Sequence, residues 1–310
     1  MTYKPELLAT AASMEELERL IAAGADAFVI GEARYGMRLA GEFSLDRMAE
    51  AVKAAKSGGV RIYAAVNNLM DNDAVESLDA YVASLAEAGV DAIVFGDPAV
   101  LMSARAHAHG MALHWNAEMT STNYVTANYW GRRGAARYVL ARELNMEQVV
   151  ETISNTELEV QVQVHGMTNI YHSKRSLVNS YMTHQSEPDR LARKDKERGL
   201  YVMEAERQDE RYPIYEDANG THIMSSDDIC MVENLQELME AGVHSLKVEG
   251  LMKSIEYNEI VIRAYRQAID AYLADPNGYE FQEEWLESIQ AVQDPNRELS
   301  YGFFFKEQVY

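Results

Sequence analysis

The chain has 310 residues, with 49 acidic and 28 basic side chains, and a formal charge of −21 at pH 7. Its apolar fraction of 47% is typical of a soluble globular protein and excludes a disordered, collagen-like or coiled-coil chain. The acidity argues against a stand-alone nucleic-acid binder, because phosphate binding needs clustered Lys and Arg. The single cysteine, Cys230, cannot by itself form a disulfide, a cysteine-type zinc site or a four-thiolate cluster.

No segment of the sequence indicates a membrane or a secretory destination. The N-terminus has no basic region followed by an apolar stretch, which a signal peptide requires. Apolar runs stay well below the ~18–20 residues that cross a bilayer. We therefore expect a cytoplasmic protein without membrane contact.

Short apolar runs alternate regularly with amphipathic segments. The predicted strands are PELLATA (5–11), AFVIGE (27–32), RIYAAVNN (61–68), AIVFGD (92–97), LHWNAEMT (113–120), RYVLAREL (137–144), ELEVQVQVHG (157–166) and HSLKVEG (244–250). The predicted helices span 13–24, 44–57, 72–89, 98–109, 121–133, 146–154, 228–241 and 254–274. Eight strands with crossovers of this length predict an α/β fold, a (β/α)8 TIM-like barrel. An open sheet of seven or eight strands is the alternative.

Two regions depart from this alternation. Residues 167–224 form an inserted excursion after the seventh strand, in which Ala-Asn-Gly-Thr at 218–221 predicts a hairpin turn. Residues 276–310 form a C-terminal extension with an aromatic end, and we expect it to pack on the barrel, because an exposed Phe run is an aggregation hazard. The barrel is thus predicted to occupy residues 1–275, including the excursion.

The active site of such a barrel lies at the C-terminal ends of its strands. Most predicted strands end in polar or charged residues. We predict catalytic roles for His165, Glu249, Lys247 and Glu118, and substrate-binding roles for Arg38, Asn67, Asn116, Arg142 and Glu143. The alternative interpretation of each is a solvated strand end, a loop salt bridge or a hydrogen-bonded structural histidine.

Two of these predictions depend on local patterns. Lys247 and Glu249 fall on the same side of one strand, so they form either a functional pair or a buried structural ion pair. Arg38 lies in the loop after the second strand, where it would reach the barrel mouth. Together with Arg142 it would recognise a carboxylate or phosphate. No residue spacing demands a metal.

The sequence resembles the U32 peptidase family, also described as collagenase-like. ELEVQVQVHGMTNIYHSKRSLVNSY (157–181) looks like its signature region, and LARELN (140–145) and SLKVEGLMKS (245–254) are the most specific phrases. The resemblance covers nearly the whole chain and implies a barrel-like catalytic body. Despite the family name, several members act in hydroxylation of tRNA, of ribosomal RNA or of the ubiquinone ring.

The chain departs from the family at the [4Fe–4S] cluster. The first two cluster cysteines are replaced by Asn169 and Ser176, the third is absent near residues 199–201, and Cys230 alone is retained. Since Asn and Ser oxygens do not replace thiolates, we expect no cluster, other cofactor or metal in this chain.

The family also contains heterodimeric paralogues, and a short, cluster-free chain resembles the smaller member of such a pair. The resemblance therefore implies a subunit for prephenate-dependent 5-hydroxylation of the tRNA wobble uridine. A cysteine-complete partner would carry the cluster, tRNA would be bound through the complex, and the isolated chain could form a homodimer. A U32-type protease and a non-catalytic scaffold are the alternatives. The local basic run, Lys174, Arg175 and residues 190–198, is predicted to contact tRNA or the partner, or to be solvated surface.

Overall fold

The structure, a computed structural model, describes residues 3–117, 120–185 and 199–307. Eight parallel strands form a closed barrel: β1 (Glu6–Thr10), β2 (Ala27–Ile30), β3 (Arg61–Val66), β4 (Ala92–Phe95), β5 (Ala112–Trp115), β6 (Arg137–Val139), β7 (Glu159–Gly166) and β13 (Ser245–Val248). β13 pairs with both β1 and β7, which closes the ring. The other strands are β8 (Asn169–Ser173), β9 (Tyr201–Val202), β10 (Tyr212–Asp217), β11 (Gly220–Met224), β12 (Asp228–Cys230) and β14 (Leu299–Ser300). The predicted TIM-like fold is confirmed.

The helices follow the predicted alternation closely. In the described residues they are α1 (Met14–Ala23), α2 (Leu45–Ser57), α3 (Asn72–Ala88), α4 (Pro98–His107), α5 (Tyr124–Gly131), α6 (Met146–Ser154), α7 (Leu177–His184), α8 (Leu235–Glu240), α9 (Ile255–Ala274) and α10 (Glu283–Gln290). Most begin at a Ser, Asp or Asn whose side chain accepts a first-turn N–H, as Ser13 does for α1 and Ser254 for α9. None of these helices is long and apolar enough to cross a membrane.

The predicted helix 228–241 is wrong at its start. Residues Asp228–Cys230 form β12, which pairs antiparallel with the end of β7, and α8 begins only at Leu235. The apolar run of this segment reads equally well as a strand, and only the pairing with β7 distinguishes the two.

The excursion after β7 forms a second, antiparallel sheet in the order β8-β11-β10-β9. The predicted hairpin is confirmed: Asp217 pairs with Gly220, which places Ala218 and Asn219 in the turn. Gly220 has φ +111°, and a Cβ there would lie 2.0 Å from the carbonyl oxygen of Ser173. Only glycine fits this position.

The barrel interior contains a charged layer near the N-terminal ends of its strands. Glu6 accepts hydrogen bonds from Arg137 (2.6 Å), Tyr63 (2.5 Å) and Ser245 (2.8 Å). Arg137 is almost fully buried and also binds Glu159 at 2.7 Å. Because this end of a barrel is remote from the usual active site, we interpret the network as stabilising the fold.

The C-terminal extension packs Trp285 and Ile289 into the main core and is also bound to the barrel through a buried carboxylate. Asp228 is fully buried and accepts hydrogen bonds from Lys253 (2.6 Å), Arg297 (2.8 Å) and Gln293 (2.7 Å). Burial opposes its ionisation, but Lys253 and Arg297 outweigh that effect and hold the pKa of Asp228 well below its usual range. β14 pairs with β12 directly beside this contact.

Asp228→Asn should lower the free energy of unfolding by about 3–5 kcal/mol, because it leaves two buried cations without their counterion. Urea denaturation measures this loss. Asp270→Asn is the matched control: its exposed carboxylate binds Arg266 at 2.7 Å, Arg266 keeps Asp26 as a second counterion, and the loss should be no more than about 1 kcal/mol. Equal losses in the two variants would contradict the anchoring role of Asp228.

Candidate functional site at the barrel mouth

A cavity opens at the C-terminal ends of the barrel strands, and seven of the predicted site residues line it. These are Arg38, Asn67, Asn116, Arg142, Glu143, Lys247 and Glu249. Five different loops or strands contribute them, so the barrel brings together side chains that are far apart in sequence. Glu118 lies outside the described residues, and His165 does not line the cavity.

Lys247 and Glu249 form an ion pair in the cavity wall. The Lys247 ammonium donates to Glu249 Oε2 at 2.8 Å, and Glu249 Oε1 accepts from the Thr10 hydroxyl and the Leu251 N–H, each at 3.1 Å. Burial opposes ionisation of Glu249, but Lys247 and these hydrogen bonds hold its pKa below the ordinary value. Glu249 is therefore an anion at neutral pH.

Lys247 keeps donor capacity for a ligand. An ammonium group has three N–H donors, and in the described ranges Glu249 is the one acceptor that Lys247 contacts. Its side chain is 18% exposed, toward the cavity it lines. An anionic ligand would thus meet a cation that Glu249 already holds in place.

Asn67 positions the loop that carries Arg38. Its Oδ1 accepts the N–H of Met37 at 3.1 Å. Arg38, which follows Met37, has φ +53°, a left-handed conformation that residues with a Cβ seldom adopt. Strained backbone of this kind persists where surrounding contacts fix it, and it clusters at binding sites.

Arg142 and Glu143 follow β6 and border two spaces. They line the mouth cavity and also an open groove that runs between the excursion and the C-terminal extension, past Asn169 and Phe303. The segment before them is held by the N–H of Leu140, which donates to Gln161 O at 3.0 Å. This pair connects the cavity with the protein surface.

Sequence reasoning missed three polar residues of the cavity wall: Thr10, Gln161 and Gln163. Gln161 and Gln163 alternate with buried valines along β7, so they point into the barrel. Polar residues on the inward face of a barrel strand were the available signal. Gln163 donates to the carbonyl of Met167 at 3.0 Å.

His165 lies on the opposite side of the sheet from the expected one. Strict alternation from Gln163 would point it inward, but the register against β13 shifts there, with Gln163 opposite Lys247 and His165 opposite Val248. This β-bulge turns His165 toward α9, where its Nε2 lies 2.8 Å from the hydroxyl of Tyr257. Complete burial lowers the pKa of His165 to about 3. The geometry assigns it a structural position.

The cluster positions do not fit an iron–sulfur cluster. Asn169 lies in β8, Ser176 precedes α7, and Cys230 is buried in β12. Burial raises the pKa of Cys230 to about 11, so it is a thiol and not a thiolate at neutral pH. The donor set present in this chain cannot ligate four irons. In the parts of the chain described, His, Cys, Asp and Glu form no group of three that could hold a metal.

The sequence model of the family described as peptidase family U32 matches residues 12–309. The chain belongs to this family. Its sequence is 52% identical over 308 residues to the tRNA hydroxylation protein P2 of Bacillus subtilis (strain 168), covering 99% of each chain. The tRNA hydroxylation protein P1 of the same organism is 32% identical and matches all of this chain with 74% of its own length.

A solved structure supports the fold. The U32 peptidase Mk0906 superposes with a TM-score of 0.51 at 16% identity, covering 80% of this chain and 94% of that one. At this identity the similarity concerns the barrel architecture alone.

Because of His165, we expect the free energy of unfolding to fall as the pH is lowered. The unfolded chain protonates it near the ordinary value of 6.5 and the folded chain only near 3, so stability is lost as the pH falls below 6.5. Between pH 7 and pH 5 this loss amounts to about 2 kcal/mol. His165→Gln should lose that much less than the wild type in urea denaturation at the two pH values. An unchanged pH dependence in His165→Gln would refute the assignment.

Proposed function

We propose that this U32-family chain acts in tRNA hydroxylation. The observation that carries the proposal is the end-to-end match with the tRNA hydroxylation protein P2, at 52% identity over 99% of both chains. The charged barrel mouth supports it. A barrel does not need charged side chains at this end for its stability, yet the cavity is lined by Arg38, Arg142, Lys247 and Glu249.

The chain acts as one subunit of a cytoplasmic heterodimer. Bacillus subtilis has two such relatives, P1 and P2, and this chain is far more similar to P2. With its single cysteine it requires a cysteine-complete U32 paralogue to hold a [4Fe–4S] cluster. Binding of tRNA occurs through the complex, since a net charge of −21 does not favour RNA binding by this chain alone.

The reaction is 5-hydroxylation of the wobble uridine, with prephenate as co-substrate. A dicarboxylate suits the mouth electrostatically, because Arg38, Arg142 and Lys247 all border the cavity. The amides of Asn67 and Asn116 add neutral donors on the same wall.

The family name alone suggests proteolysis, which the site does not support. Within the described residues, no histidine ring hydrogen-bonds to a serine, threonine or cysteine side chain, the arrangement that activates a protease nucleophile. A scaffold without a ligand of its own is the remaining alternative.

Deleting the gene should abolish 5-hydroxyuridine-derived nucleosides at the wobble position of tRNA, because neither paralogue would suffice alone. Mass spectrometry of digested tRNA measures these nucleosides, and a strain lacking the cysteine-complete paralogue serves as comparison. Normal nucleosides in the first strain would refute the proposed function, and loss in both would establish an obligate pair.

Arg142→Ala, expressed in the deletion strain, should reduce the hydroxylated nucleosides roughly 10-fold or more, since a charge-assisted contact to a ligand carboxylate contributes about 1.5–3 kcal/mol. Arg132→Ala is the matched control, because Arg132 is exposed at the end of α5, away from the cavity. Both variants should still bind the partner in co-purification. Full activity of Arg142→Ala would favour the scaffold.

A further inference from the structure

The turn of the β10–β11 hairpin touches the loop that carries Arg38. Asn219, at the tip, accepts a hydrogen bond from Asn68 Nδ2 at 2.7 Å through its Oδ1. Its own Nδ2 donates to the carbonyl oxygen of Gly36 at 3.2 Å. One side chain of the excursion therefore bonds to both the β2–α2 loop and the residue that follows Asn67.

Asn219 is also fixed on its own side. Its N–H donates to Asp217 Oδ1 at 2.8 Å, and its carbonyl oxygen lies 2.9 Å from His172 Nε2. The His172 ring stacks on that of His222, with centroids 4.8 Å apart. The hairpin tip is thus a rigid support.

The loop on the other side of this contact has little freedom left. Asn68 Nδ2 donates to Arg34 O at 3.1 Å, and the N–H of Asn68 donates to Tyr35 O at 2.9 Å. A Cβ on Gly36 would lie 2.9 Å from the carbonyl oxygen of Ala65, so the loop packs directly against β3. Arg38 follows two residues later in its left-handed conformation.

We propose that Asn219 is a positioning residue for the barrel mouth: its two amide hydrogen bonds hold the β2–α2 loop so that Arg38 faces the ligand. This inference rests on the proposed function only for its activity readout. The physical reason is that a ligand contact made by a strained loop depends on every bond that fixes the loop, and small displacements of a binding group are costly.

Hydrogen–deuterium exchange tests the structural part without reference to any ligand. Asn219→Ala should speed exchange in residues 33–41 and leave β3 and β4 unchanged. Asn179→Ala is the matched control, because it makes the same substitution within the excursion at a side chain that forms no hydrogen bond in the described residues. It should change the exchange rate in neither region. Unaltered exchange in residues 33–41 of Asn219→Ala would overturn the proposal.

A double-mutant cycle tests the functional part, with tRNA nucleosides measured in the complemented deletion strain. Asn219→Ala and Arg38→Ala should each lower hydroxylation, by roughly 10-fold to 100-fold. The double variant should be no worse than Arg38→Ala alone, because Asn219 acts through Arg38. Asn219→Asp retains the acceptor for Asn68 but not the donor to Gly36, so it should restore part of the activity.

The outcomes separate this inference from the proposed function. Additive losses, or full hydroxylation with Asn219→Ala, would overturn the positioning role while the function stands. If the deletion strain keeps its hydroxylated tRNA, the proposed function fails, and hydrogen–deuterium exchange alone decides whether Asn219 holds the loop.

Discussion

A closed barrel has no free edge and an interior packed with side chains, so each inward-facing charge must find its partner among the other inward-facing groups. This constraint shapes both ends of the structure. At the N-terminal end, Glu6 and Arg137 satisfy one another with help from Tyr63 and Ser245, and burial of such a pair contributes less to stability than its removal would cost. At the C-terminal end, Lys247 is paired with Glu249 but retains donors that face the cavity. The charges at the N-terminal end are thus paired with one another, whereas Lys247 at the C-terminal end keeps donors for a further acceptor.

The excursion and the C-terminal extension both attach to the barrel at the C-terminal ends of its strands. The excursion contacts the β2–α2 loop through Asn219, and the C-terminal extension is bound through Asp228, four residues after the end of the excursion. Arg142 and Glu143 border both the cavity and the groove between these additions. The mouth is therefore bordered by segments that a minimal eight-stranded barrel would lack, and an open groove runs from it along the protein surface.

Much of this arrangement was predictable from the sequence, because strand alternation and helix caps are local signals. They placed Lys247, Glu249 and Arg142 at strand ends, and a closed barrel then brings strand ends together. The bulge that turns His165 outward was not predictable, since it depends on how β7 pairs with β13, about 80 residues later. The contact between Asn68 and Asn219 spans 151 positions, and no periodic pattern in the sequence indicates it. The strand at Asp228 was missed for the same reason.

The charged layer near the N-terminal ends of the barrel strands also affects how the chain folds during translation. Glu6 Oε1 bonds to Arg137 and Ser245, which lie 131 and 239 positions later in the chain. At translation rates of about 5–20 residues per second, the last of these partners leaves the ribosome roughly 10 to 50 s after Glu6. Until then β1, whose five residues are all buried in the finished barrel, lacks its sheet neighbour β13, although Arg61 and Arg137, the counterions of its glutamate, have already been made. The first strand made is thus among the last to be secured, and the nascent chain must keep it from pairing elsewhere.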